Sequence, residues 1–181
     1  MSRVAAARSV DFEPIDRLEE KININAWIYS PGIPANIVPV QSSAFEKVEA
    51  QIRDWEKGKP ADQLDTKGWT THHWIHFIRN LPAQLSASQM EALDQSFHFS
   101  SSKNAEILSE WLLQVIVKKY EPAYPSIEKF LASQGRRKYV KLLFTEMIKT
   151  PEGKEMAKEI YQRVRPGYHN ISRDVAERIL K

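Results

Sequence analysis

Residues 104–116 read NAEILSEWLLQVI. Asn is a good helix cap, because its side-chain oxygen accepts from the free amides of the first turn. Beyond Asn104, the residues Ile107, Leu108, Trp111, Leu112, Val115 and Ile116 recur at three- and four-residue spacing. That spacing predicts a helix with a broad buried face.

The same pattern repeats on either side. Upstream, Ser42 or Ser43 caps a helix to about Trp55, with Phe45, Val48, Ile52 and Trp55 in register. Thr70 caps another, whose stripe is Trp74, Phe77, Ile78 and Leu81. Ser86 and Gln89 form a capping-box pattern for a third, to about Phe97.

Downstream, Pro125 stands in the first turn of a helix running to Gln134, and Gly135 is the expected left-handed residue after its end. Residues 137–149 form the next, burying Val140, Leu143, Phe144 and Met147. Thr150-Pro151-Glu152 opens one to about Arg165. Ser172 caps a short last helix with Val175, Ile179 and Leu180 inside.

No stretch shows a convincing period of two with turn glycines, so strands are not expected. About seven to nine helices joined by short loops imply an all-α fold. A two-layer α–α superhelix of the armadillo or HEAT kind is the expected packing. A bundle uses the same elements, and no repeated sequence motif selects between them. The stretch YSPGIPANIVPV, residues 29–40, is rich in Pro and should form an extended connector. The expected organisation is a tail or linker over 1–24, a connector over 25–40 and a helical domain over 41–181.

The chain has 181 residues, 42% of them hydrophobic and 27% charged. This suits one globular domain with a sizeable core. The net charge of +3 is too small to argue for nucleic acid, and no nucleic-acid partner is expected. The charge is uneven, however. Residues 105–181 hold 15 Lys and Arg against 10 Asp and Glu, which makes the C-terminal half the basic one. There is no cysteine, which excludes disulfides and thiolate metal sites and permits a cytoplasmic setting. No apolar run approaches the ~20 residues that cross a membrane, so no membrane association is expected.

The HHWIH stretch places His72 and His76 one helical turn apart, the spacing of a zinc pair. His73 stands where a zinc peptidase of the H-E-x-x-H type has its glutamate base. Asp62, Asp65 and His98 are third-ligand candidates by residue type only. The plainer reading is an amphipathic helix with half-exposed histidines, and no metal or cofactor is expected in this chain. No G-x-S-x-G nucleophile elbow occurs, so no catalytic residue is assigned.

The stretch SQGRRKYVK, residues 133–141, is the better candidate. Arg136, Arg137, Lys138 and Lys141 crowd the start of a helix, where the macrodipole is positive and disfavours each cation by about 0.3–1 kcal/mol. The same helix start offers unpaired amides, so an anion there meets both donors and cations. Arg adds a two-pronged fork and Lys a point charge. Arg136 and Lys138 therefore read as a carboxylate clamp, against the plainer reading of a solvated basic face.

Residues 25–34, NAWIYSPGIP, resemble the connector that opens the C-terminal helical domain of the leukotriene A-4 hydrolase/zinc aminopeptidase family. The stretch from Asn104 to Trp111 resembles that family's central helix. Phe97 sits where the family's loop before that helix begins. Residues 134–144, QGRRKYVKLLF, are similar to its Gly-Arg-x-Lys segment. The resemblance implies a two-layer superhelix closing one side of a cleft, with zinc in a separate catalytic domain of the same polypeptide. It implies that Arg136 and Lys138 bind the carboxylate of a peptide substrate, and that this chain carries out no catalysis of its own. The H-E-x-x-H motif, the downstream Glu ligand and the Gly-x-Met-Glu-Asn element would belong to the catalytic domain, expected before residue 1. The alternative reading is a free-standing helical-repeat scaffold for protein–protein interaction. A weaker third is an RNA- or phosphate-binding surface.

Overall fold

A computed structural model describes residue 19, residues 21–37 and residues 43–181. The chain forms two compact units, residues 1–41 and residues 42–181.

In the first unit, helix α1 spans Ile24–Tyr29 and follows Asn23, which is left-handed at φ 54°. Residues 25–29 are therefore helical, where an extended connector was expected. The helix-breaking effect of Pro31 reaches back only to Ser30, which is extended at φ −92° and ψ 142°. Residues 30–37 hold no helix or strand. The Asn36 side-chain amide donates to the Ile22 carbonyl at 2.6 Å. The remainder of the expected connector, 38–40, and most of the expected tail lie outside the described residues.

Among the described residues the second unit contains eight α-helices. They are α2 (Ala44–Glu56), α3 (Thr71–Arg79), α4 (Ala87–Phe97), α5 (Ala105–Val117), α6 (Tyr124–Ser133), α7 (Arg137–Met147), α8 (Pro151–Val164) and α9 (Asn170–Leu180). No strand occurs among the described residues. Helices α2, α3, α5, α7 and α9 pack side by side in that order and form one layer. Helices α6 and α8 pack on each other and on the flanking helices of the first layer, in a second layer. From α5 onward the chain alternates between the layers, which is the arrangement of a two-layer α–α superhelix.

Caps set where the helices begin. Ser86 and Gln89 form the expected reciprocal pair: the Gln89 amide donates to Ser86 Oγ at 3.2 Å, and the Ser86 amide to Gln89 Oε1 at 2.9 Å. Asn104 Oδ1 accepts from the Glu106 amide at 3.0 Å, and its Nδ2 donates to Thr71 Oγ1 at 2.9 Å. The starts of α3 and α5 are thereby joined.

Two caps differ from the sequence expectation. Helix α9 begins at Asn170 with His169 as its cap, through Nδ1 and the Ile171 amide at 3.3 Å. Ser172 lies inside the helix and is buried. Gly135 is absent from the glycines with positive φ, which are Gly32, Gly58 and Gly68. Its small size has another cause: a Cβ there would sit 3.0 Å from Cδ1 of Tyr168.

The core runs through α5. Trp111 is fully buried, and its ring lies 4.9 Å from that of Phe99, centroid to centroid. Its indole N–H donates to Ser100 Oγ at 2.9 Å, and Ser100 in turn donates to Asp94 Oδ2 at 2.6 Å. This chain of bonds satisfies the one polar atom of the large ring.

Candidate functional site

Helix α6 ends at Ser133 with Gln134 as its C-cap, and α7 starts after Arg136, which is the N-cap residue at φ −72° and ψ 132°. Arg136 makes no side-chain cap bond, and the first turn of α7 has no acidic residue. The dipole of this helix end is therefore uncompensated from within the helix.

Tyr139 organises the cations. Its side chain is buried, with 1% exposed. The Arg136 guanidinium carbon lies 5.7 Å from the Tyr139 ring centroid, and Lys138 Nζ lies 5.5 Å from it. Both cations thus gather round one aromatic ring, a contact worth about 0.5–1 kcal/mol at exposed sites. Arg137 and Lys141 are exposed and belong to no ion pair among the described residues.

A carboxylate is already present. Glu106, in the first turn of α5, forms an ion pair with the Lys138 ammonium. Its other oxygen accepts a hydrogen bond from the Tyr139 hydroxyl at 2.9 Å. The hydrogen bond from Lys138 and then that from Tyr139 hold the Glu106 carboxyl below its ordinary pKa, and the charge of Arg136 adds to this. Burial, and then the bond to Glu106, push the Tyr139 phenol up. Among the described residues Arg136 has no carboxylate of its own within salt-bridge distance.

One turn further along α5, Glu110 is buried and takes a two-pronged hydrogen bond from Arg79 of α3, with Nε at 2.9 Å from Oε2. The bond to Glu110 raises the Arg79 pKa, and the charge of Glu106 also contributes. The central helix therefore shows two carboxylates on one face, gripped by cations from the helices to either side. Sequence reading had passed over both. The available signal was a pair of Glu four residues apart in an otherwise apolar helix.

A hollow of about 520 Å³ is lined by Ser100, Lys103, Ala105, Leu108, Lys129 and Gln134 among others. Gln134 connects it to the turn that carries Arg136.

The histidines serve local structure. His73 Nδ1 accepts from the Thr70 amide at 2.9 Å, completing a capping box at the start of α3. His76 Nε2 lies 3.2 Å from Glu49 Oε1, and its ring stacks on Phe45 at 4.4 Å. His72 is exposed. Among the described residues, no three His, Asp or Glu side chains gather as a metal site.

Fold and site together define an all-helical, two-layer domain that displays a cationic helix start. The family described as "Leukotriene A4 hydrolase, C-terminal" matches residues 69–180, more than half of the chain, and the chain belongs to that family. A leukotriene A-4 hydrolase homolog of Botryotinia fuckeliana is 25% identical over 166 residues, covering 90% of this chain and 25% of the relative. A leucine aminopeptidase 2 of Sclerotinia sclerotiorum is 24% identical over 173 residues, covering 93% of this chain and 28% of the relative. The chain thus spans about a quarter of the length of these relatives. Yeast LTA4 hydrolase in its native form has the same fold, with a TM-score of 0.66 at 18% identity, over 92% of this chain and 32% of that one. Its complex with bestatin gives a TM-score of 0.62 at 20% identity and the same coverage.

Proposed function

We propose that the chain is the C-terminal helical domain of a zinc aminopeptidase, forming one wall of the substrate cleft and binding the substrate's carboxylate. The catalytic domain, with its zinc, belongs to the same polypeptide. Arg136 and Lys138 hold the negative end of a peptide in register, so that its amino end reaches the metal. The domain contributes binding and orientation, and no proton transfer or nucleophile.

One observation carries this reading. Arg136 and Lys138 meet round Tyr139 at the start of α7, and a carboxylate, that of Glu106, already occupies the Lys138 side. The geometry suits carboxylates, and Arg136 retains an unused fork. A cysteine-free chain, whose described residues include no helix able to cross a membrane, suits a cytoplasmic enzyme.

The test is Arg136→Ala in the full-length polypeptide. The expected loss in kcat/KM for tripeptides is about 1.5–3 kcal/mol of transition-state stabilisation, the worth of a charge-assisted hydrogen bond. Unchanged kcat/KM would remove the clamp from the account.

A further inference from the structure

We infer that Tyr168 and Ser172 are positioning residues, which aim Arg136 by locking the turn between α6 and α7. The inference rests on the carboxylate-binding reading above and adds to it a role for the C-terminal segment.

The turn is held at both ends by hydroxyl groups that come from 37 residues further along the chain. Tyr168 donates to the Leu131 carbonyl at 3.0 Å, near the end of α6. Ser172 donates to the Gly135 carbonyl at 2.7 Å. Both side chains are buried, with 3% and 4% exposed. Between these bonds the Tyr168 ring packs against Gly135. A Cβ on residue 135 would stand 3.0 Å from its Cδ1 and 3.3 Å from its Cε1, so glycine is what permits the approach. Helix α9, which carries Ser172, packs on α7 more extensively than any other two helices pack together.

The link to Arg136 is covalent. The Gly135 carbonyl and the Arg136 amide belong to one planar peptide unit. A hydrogen bond to that oxygen fixes the orientation of the plane, and with it the bond from which the Arg136 side chain departs. Packing alone would not need either hydroxyl. Ala at 172 or Phe at 168 would fill the same space, yet both buried hydroxyls aim at carbonyls of this turn. Ser172 gains no local cap role, since His169 caps α9.

The experiment compares Ser172→Ala, Tyr168→Phe, Arg136→Ala and the Ser172→Ala/Arg136→Ala double variant in the full-length polypeptide. Each is assayed on a tripeptide with a free C-terminus and on the same peptide as its C-terminal amide. Ser172→Ala should raise KM for the free acid about three- to tenfold, the scale of one lost hydrogen bond. Its kcat should change little, and the amide should be unaffected. In the Arg136→Ala background, Ser172→Ala should have no further effect on the free acid. Circular dichroism melts check that each variant folds, and Tyr168→Phe carries the same test if Ser172→Ala does not fold. An effect of equal size on acid and amide, or one that persists without Arg136, would overturn the positioning role. No effect of Arg136→Ala would instead overturn the carboxylate reading itself.

Discussion

Lys138, in the first turn of α7, and Glu106, in the first turn of α5, form an ion pair across two neighbouring helices of one layer. Glu106 compensates Lys138, because Lys138 stands at a helix start that disfavours cations, while Glu106 stands at one that favours anions. The pair also makes the two cations of the proposed carboxylate site unequal. Lys138 has a resident carboxylate, and Arg136 does not.

Arg136 should therefore matter more than Lys138 for an incoming carboxylate. Lys138→Ala in the full-length polypeptide should cost less in kcat/KM for free-acid tripeptides than Arg136→Ala. A larger loss from Lys138→Ala, measured under the same conditions, would contradict this division.

The Glu106 contacts predict a direction for acid stability. A carboxyl held below its ordinary pKa stabilises the fold at pH values above the usual glutamate range. That contribution is lost as pH falls through the lowered folded-state value. Wild type should exceed Glu106→Gln in urea midpoint at about pH 6–7, and the gap should narrow as pH falls below the usual glutamate pKa of about 4.3 and through the lowered folded-state value. A gap that widens on acidification would show the sign to be wrong.

Arg79→Ala should destabilise the domain by about 1–3 kcal/mol, because it leaves the buried Glu110 carboxylate without its partner. Removing both charges with Arg79→Ala/Glu110→Leu should recover part of that loss. Denaturant titration of the two variants checks the order.

Thr70→Ala should cost about 0.5–2 kcal/mol, since Thr70 and His73 together close the start of α3. His73→Gln, which keeps an acceptor at the same position, should cost less than His73→Ala. Thermal melts monitored by circular dichroism read both differences. Zinc added to this 181-residue chain should leave its melting temperature unchanged, given that His76 is engaged by Glu49 and that no third ligand gathers with His72 and His76 among the described residues.

The helices were legible because their signals are local. A cap residue, an apolar stripe and a Pro in the first turn act within one or two turns of backbone, and Ser86, Asn104 and Thr150 all cap as their positions suggest. Gly135 and Ser172 differ from the sequence expectation because a distant contact outweighs the local preference there. Gly135 looks like a left-handed helix end, yet it is small to admit the Tyr168 ring. Ser172 looks like a cap, yet its hydroxyl bonds across to Gly135.

The candidate site divides in the same way. The residues 133–141 alone disclose a basic cluster at a helix start, since spacing and charge can be counted along the chain. That Glu106 pairs with Lys138 and bonds Tyr139, and that Tyr168 and Ser172 brace the turn, depend on helices separated by some 30 residues or more. Side-chain periodicity says which face of a helix is buried, but only the packing of the two layers decides which side chain it meets there.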